Sequence, residues 1–433
     1  MRVGTAVKPQ LGRRFAVFWA ANTTSALGSG LSLVAAPLFV ASRTSDPLTV
    51  SGAAAVSWLP WLLFALPGGV LVDRVDRREL MIWVDWIRVF VMGALGIAIL
   101  TGHAGIPVLY VVLFIVNTGE IVFRSAGQAM VPAVVPREGL ERANGWLIGG
   151  TLLTQQMIAG PLGAFLFVVA ASVPFLANAG TYALSAILIA MVSGTYRATS
   201  LATAAGDTAA DVAADLEAAA PPRRSIRRDI SEGFSWLMQQ RLLRAMAVLI
   251  GLLNVTLTAA LAVLVLLAKE RLHLGSVGYG LLFTSMAVGG VLGSAFGDRL
   301  IRRVTATWTI RVGLVVEFLF HLVLATSTNA YAVGFALFSF GIHGSLWSIV
   351  NASLRQRLTP PHMLGRVGST NLFIAAGGNC IGALLGGVVA STVGITAPYW
   401  VGFAVAVLVS AATWRVFNRT DVAAAYAVDA SGR

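Results

Sequence analysis

Along its length the chain alternates long apolar runs with short charged turns. Runs long enough to span a bilayer lie near 15–41, 50–72, 80–100, 107–128, 144–169 and 174–195. A second set lies near 242–268, 277–297, 306–327, 330–353, 368–390 and 396–417. About 20 apolar residues, at about 1.5 Å of helix rise each, match the hydrocarbon thickness of a membrane. The pattern predicts an all-α membrane protein of twelve transmembrane helices. Six fall in a first half over residues 1–196 and six in a second half over 242–433, with a linker over 197–241.

The linker is where the composition breaks. Thr199 to Ala220 is rich in Ala, Thr and Asp; Pro221-Pro222 interrupts it, and Arg223, Arg224, Arg227 and Arg228 follow. From Ile226 to Met238, the spacing of Ile226, Ile230, Phe234 and Leu237 suits an amphipathic helix lying on the membrane surface. A solvated linker that only carries charge is the competing reading.

Composition removes the soluble alternatives. Hydrophobic residues make up 57% of the 433, charged residues 12%, and the mean hydropathy is +0.79. Ordinary soluble domains carry about 25% charged residues, so a watery surface is not available here. The net charge of +12 does not mark a nucleic-acid binder, because the basic residues fall in alternate loops and form no basic face. With the N-terminus inside, 26 of the 31 Lys+Arg lie in inside segments. Only Arg43, Lys269 and Arg271 lie in outside loops, while Arg88 and Arg311 lie within spans. That bias predicts an even number of spans with both termini cytoplasmic, and halves that enter the membrane in the same direction. Arg2, Lys8, Arg13 and Arg14 precede the first run without a small-residue cleavage site, which predicts an uncleaved first helix.

Catalytic and metal chemistry find no support. Cys380 has no partner, so no disulfide within the chain is possible, and it reads as a small packing residue. His103, His273, His321, His343 and His362 are scattered without metal-ligand spacing. No phosphate loop ending in Gly-Lys-Ser/Thr is present, so ATP hydrolysis is unsupported, and neither a cofactor nor an enzymatic activity is expected.

The two halves share a register. Gly68, Asp73, Arg74, Arg77 and Arg78 recur as Gly293, Asp298, Arg299, Arg302 and Arg303, each 225 positions later. Pro136 and Arg142 recur as Pro360 and Arg366, and Gly163 as Gly387, at an offset of 224. Like-oriented repeats joined by a linker are the layout of a parallel-repeat transporter.

Gly68-x-x-x-x-Asp73-Arg74-x-x-Arg77-Arg78, between the second and third spans, resembles motif A of the major facilitator superfamily; Asp76 stands where the family has glycine. Gly160-Pro161-Leu-Gly163-Ala164 in the fifth span is similar to motif C, associated with exporters, with Ala164 in place of its final glycine. The family's basic motif in the fourth span is poorly matched: Arg124 is present, but Glu120 stands one turn before it. The loop from Pro132 to Asn144 is similar to the branch containing enterobactin-type and macrolide exporters. The resemblance implies a twelve-helix secondary transporter in a bacterial cytoplasmic membrane, functional as a monomer. It implies proton-driven export of a small amphipathic compound, drug-like or siderophore-like. Uptake of a nutrient, or a non-transporting membrane sensor or scaffold, are the alternatives.

Residue by residue, two readings stand side by side. The motif A turn is either a latch that stabilises the outward-facing state or a basic turn that sets topology and meets lipid headgroups. Gly160-Pro161 either bends the fifth helix or packs it closely. Among ionisable residues in spans, Asp85 and Arg88 are one turn apart and read as an internal ion pair. Glu120 and Glu317 are the first candidates for carrying protons. Their competing roles are structural pairs, Glu120 with Arg124 and Glu317 with His321. Asn22, Trp58, Gln155, Gln156, Asn254, Trp347, Asn351 and Asn379 are polar or aromatic positions in otherwise apolar runs. They are candidates for the substrate cavity, each also explicable as an interhelical hydrogen bond or interfacial tryptophan.

Overall fold

A computed structural model describes residues 11–64, 75–136, 139–194, 196, 226–360 and 363–414. The described chain is helical almost throughout, because in lipid a helix satisfies every backbone N–H and C=O within one segment. The first six helices are α1 (Gly12–Arg43), α2 (Pro47–Phe64), α3 (Arg77–Leu100), α4 (Ile106–Val134), α5 (Leu140–Val169) and α6 (Val173–Ala190). After a surface helix at Ile226–Gln239 come α7 (Arg241–Arg271), α8 (Ser276–Val304), α9 (Ala306–Thr326), α10 (Ala330–Leu358), α11 (Leu364–Val393) and α12 (Ala397–Thr413). Among these, eleven are long and apolar enough to cross a membrane; α12, with 17 residues, is apolar but shorter. The expected last span, 396–417, runs past the described residues.

Helix ends differ from the apolar runs for a consistent reason. The run near 277–297 became α8 with 29 residues, about 43 Å at about 1.5 Å per residue. It therefore continues beyond the hydrocarbon into its arginine-bearing turns. Hydropathy marks the lipid-facing part of a helix, whereas hydrogen bonding carries the helix on through the headgroups. Two starts are set by side-chain caps. Asn329 accepts from the amides of Tyr331 and Ala332 at the head of α10, and Asp76 caps α3 in the same way.

Within α5 the chain widens into a π-turn over Leu152–Ile158, where the Ala159 amide reaches back to Thr154 O. This disturbance immediately precedes Gly160-Pro161, whose proline supplies no N–H to the ladder.

The surface helix forms over Ile226–Gln239. Leu237 is buried, but Phe234 is 47% exposed. The contact with α11 is made at Gly233, where an added Cβ would lie 2.8 Å from Arg366 O, and by a Glu232–Arg366 ion pair of 2.9 Å. The side chains of Ile226 and Ile230 lie outside the described residues.

The apolar core shows how the halves meet. At the arginine-poor end, one continuous cluster joins both halves, from Phe39, Leu95 and Phe175 to Leu264, Tyr279 and Leu337. At the arginine-rich end the core is divided. Phe18, Met81, Phe123 and Ile189 form a cluster of the first half, while Leu243, Ile310, Val350 and Val367 form one of the second. Among the described residues, the apolar core is continuous between the halves at one end and divided at the other.

Candidate functional site

Each half holds buried ionisable groups near its centre. In the first half the organising residue is Arg88 of α3, fully buried with Asp85 one turn before it. Its guanidinium lies 3.1 Å from Asp85 and is also paired with Glu120 of α4. It donates to Val116 O and Ser25 Oγ at 3.4 Å each and lies over the Tyr182 ring, 4.2 Å from its centre. Ser29 of α1 donates to Glu120 at 3.0 Å and shares a hydrogen bond with the Tyr182 hydroxyl at 3.2 Å.

The sequence suggests two separate pairs, Asp85–Arg88 and Glu120–Arg124, and the structure merges them. Glu120 bridges Arg88 and Arg124, the latter at 3.4 Å. Gly119 permits this approach, since a Cβ there would crowd Arg88 Cδ at 3.2 Å. Arg124 has a 44% exposed side chain although it lies in a membrane span, and its guanidinium lies over Trp61 at 5.5 Å.

In the second half, the expected Glu317–His321 pair is not made. Their four-residue spacing does place them on one face of α9, but His321 Nδ1 turns back to the Glu317 carbonyl at 2.9 Å. The Glu317 carboxylate instead meets His343 Nε2 of α10 at 3.5 Å. His343 sits in a notch left by Gly313, and His321 in one left by Gly402; an added Cβ at either glycine would strike the ring.

At the basic turns, Gly68, Asp73 and Arg74 lie outside the described residues. Arg77 donates to Ala129 O at 3.2 Å and Arg78 to Ile189 O at 3.2 Å, both within the first half. In the second copy Gly293 packs on α10, its added Cβ lying 2.7 Å from Ile342 O, while Asp298, Arg299, Arg302 and Arg303 are exposed.

The comparisons with known proteins agree with this architecture. Residues 5–431 match the family model described as transmembrane secretion effector, MFS_3. The chain belongs to the major facilitator superfamily. Macrolide efflux protein A of Streptococcus pyogenes is 29% identical over 133 residues, which is 31% of this chain and 33% of that protein. The chain thus matches about a third of the length of that relative. The enterobactin exporter EntS of Citrobacter koseri is 24% identical over 381 residues, 86% of this chain and 84% of the relative. In fold, the chain resembles the inward-facing crystal structure of a bacterial homologue of the iron transporter ferroportin. That match has a TM-score of 0.72 and 16% identity and covers 95% of this chain and 100% of the other.

In this superfamily member, Asp76 caps α3 and reaches beyond it. Its carboxylate accepts from the amides of Arg78 at 3.0 Å, Glu79 at 3.1 Å and Tyr196 at 2.7 Å. The signal was present in the sequence as Asp76-x-x-Glu79, a capping-box spacing at the head of a helix. Asp76→Ala removes three acceptor contacts at a buried site and is expected to cost about 1–2 kcal/mol. A lower unfolding temperature in detergent, restored only in part by Asp76→Asn, whose single oxygen cannot replace both acceptors, is the corresponding measurement.

Gly160 lies on the seam between halves. Gly160 of α5 faces Gly280 of α8 so closely that a Cβ on Gly280 would stand 2.7 Å from Gly160 O and 2.6 Å from Ala164 Cβ. Gly163 lets α5 approach α1, its added Cβ lying 3.1 Å from Leu31 O. On the other seam Cys380 of α11 contacts Ala55 O of α2 at 3.8 Å, and Lys269 donates across the halves to Ala41 O at 3.1 Å.

The cavity candidates divide. Asn22 and Asn254 spend their amides on the carbonyls of Phe18 and Ile250 in their own helices, at 2.9 and 2.8 Å. Asn379 is buried, accepting from Thr258 at 2.7 Å and so tying α7 to α11. Trp58, Gln155, Trp347 and Asn351 remain half-buried, and Trp58 stands 6.5 Å from Trp61. The side chain of Gln156 lies outside the described residues. Sequence reasoning passed over Ser29, Trp61, Tyr182 and His343, because serine and aromatic residues are frequent in spans and only proximity singles these out.

Proposed function

We propose that the chain is a proton-coupled exporter of small amphipathic organic compounds that works as a monomer by alternating access. It acts in a bacterial cytoplasmic membrane with both termini inside. One observation carries the reading: among the described residues the apolar core joins the halves at the arginine-poor end and is divided at the arginine-rich end, and each half holds a buried carboxylate near its centre. Under the charge rule the split faces the cytoplasm, where a compound to be expelled would enter. Half-buried Trp58, Trp347 and Asn351, with exposed Arg124 over Trp61, offer aromatic surface and a few polar groups to such a compound. Export also fits the macrolide efflux and enterobactin export relatives.

The basic turns act as clasps that engage when the cytoplasmic end closes. Asp73 accepts hydrogen bonds at a helix N-terminus or pairs with an arginine of the opposite half.

Purified protein in liposomes containing a pH-sensitive dye provides the test. Addition of a panel including erythromycin and a catecholate siderophore under an imposed pH gradient is expected to move protons. No compound-induced proton movement across the panel sinks the antiporter reading. In the same assay Asp73→Asn, at normal abundance, is expected to slow the response; an unchanged rate removes the clasp.

A further inference from the structure

The charged clusters of the two halves differ in a way that assigns the proton to one of them. In the first half, Asp85 and Glu120 face Arg88 and Arg124. A guanidinium does not give up its proton in a protein, so two carboxylates meet two permanent cations. That cluster is neutral with both carboxylates ionised, and an added proton would leave a net positive charge in a dry interior.

In the second half, among the described residues, no arginine or lysine forms an ion pair with the buried carboxylate. Among the described residues, the ion-pair partner of Glu317 is His343, at 3.5 Å, and both are buried. The pair is neutral only when it holds one proton, on the carboxyl or on the imidazole. Without that proton a bare carboxylate is left in low dielectric, which is unfavourable unless water reaches it. Glu317 Oε1 is buried with no hydrogen-bond partner among the described residues, as is Asp85 Oδ2, but the Asp85 carboxylate keeps a fixed cation 3.1 Å away.

On α9 itself Arg311 lies six residues toward the arginine-rich end, where it donates to Trp414 O at 3.1 Å and rests over the Trp414 ring. His321, on the same helix, is bonded through Nδ1 to the Glu317 carbonyl, and its Nε2 is buried without a partner. From α12 comes Tyr399, whose hydroxyl is likewise buried without a partner. Along α8, the charged residues Asp298, Arg299, Arg302 and Arg303 are exposed at the arginine-rich end, and Tyr279 lies toward the opposite one. On α10, Arg355 and Arg357 are also at the arginine-rich end. No group of three metal-ligating side chains forms among the described residues, so the pair does not read as a metal site.

Position links the pair to the split between the halves. His343 is followed on the same side of α10 by Trp347 and Asn351, one and two turns toward the arginine-rich end, both half-buried. The imidazole is held from behind by Gly313, one turn before Glu317 on α9.

We propose that Glu317 and His343 together are the proton-binding site of the transporter, and that the Arg88 cluster is charge-fixed and does not exchange protons. This rests on the proton-coupled reading above, but its test needs no substrate. Full-length protein in lipid nanodiscs is titrated while the C=O stretch of protonated carboxyl groups is followed by infrared difference spectroscopy, with deuterium exchange as assignment. A titrating carboxyl band is expected in the wild type, lost in Glu317→Gln and retained in Glu120→Gln and Asp85→Asn. His343→Gln, which leaves the carboxyl in place, is expected to shift the frequency or the midpoint of the band. A band that survives Glu317→Gln, one that disappears with Glu120→Gln, or no titrating band in the wild type overturns the assignment. So does a band indifferent to His343→Gln. Liposomes that show no compound-driven proton movement, beside an intact Glu317 band, would instead remove the transport reading alone.

Discussion

Arg88→Met is expected to destabilise the protein by about 3–5 kcal/mol, the usual cost of removing one partner from a buried ion pair. The side chain is fully buried and serves two carboxylates at once, Asp85 and Glu120. Methionine fills part of the volume but leaves Asp85 without its cation and Glu120 with only the half-exposed Arg124. It also abandons the face of Tyr182, on which the guanidinium rests. Thermal unfolding of the detergent-solubilised protein is the measurement, and a wild-type midpoint would remove the network from the list of things that hold the fold. The triple variant Arg88→Met, Asp85→Asn, Glu120→Gln separates charge from packing. Neutralising the three buried members together leaves no buried charge uncompensated, and only the half-exposed Arg124 keeps its charge. The triple variant is therefore expected to recover most of the loss.

Gly280→Val is expected to drive the halves apart at the arginine-poor end and so favour the opposite opening. A Cβ at this position meets Ala164 at 2.6 Å and the Gly160 carbonyl at 2.7 Å, and the second of these is backbone that cannot swing aside. Overpacking of this kind costs about 1–3 kcal/mol. The strain applies only while the α5–α8 seam is shut, so about that much is transferred to the equilibrium between states. The ratio of the two states then shifts by about 5- to 150-fold. With the single cysteine replaced, as in Cys380→Ala, a reporter at Asn351→Cys reads the arginine-rich mouth through its rate of maleimide labelling. That rate is expected to fall in Gly280→Val and to stay unchanged in Gly145→Ala, where a Cβ meets nothing within 4 Å. Equal labelling in both variants would show that this seam does not set the opening.

These two sites also show how far the residues could be read in one dimension. Asp85 and Arg88 were legible as a pair because three-residue spacing brings side chains together on any helix. The same rule failed for Glu317 and His321, where one face was shared but the imidazole turned back onto the main chain. His343 could not be found at all by spacing, since it reaches Glu317 from another helix. Gly160 was visible as a packing or bending residue, but its partner Gly280 belongs to the opposite half and carried no mark of its own. Asp76 looked like a lapse from a family pattern, and turned out to cap α3 and hold the amide of Tyr196.

The sequence by itself determined that the protein is a helical membrane protein with repeated halves in one register. Each of those properties rests on local facts: an apolar run long enough to cross lipid, a basic loop that resists crossing, and a turn that occurs twice. Only the tertiary structure decided at which end the described core joins the halves, that one arginine joins two carboxylates, and that Glu317 answers to a histidine. Those outcomes depend on how far each helix is rotated about its axis and how the halves tilt against one another. Close glycine contacts and shared polar partners set both, and no single stretch of chain contains them.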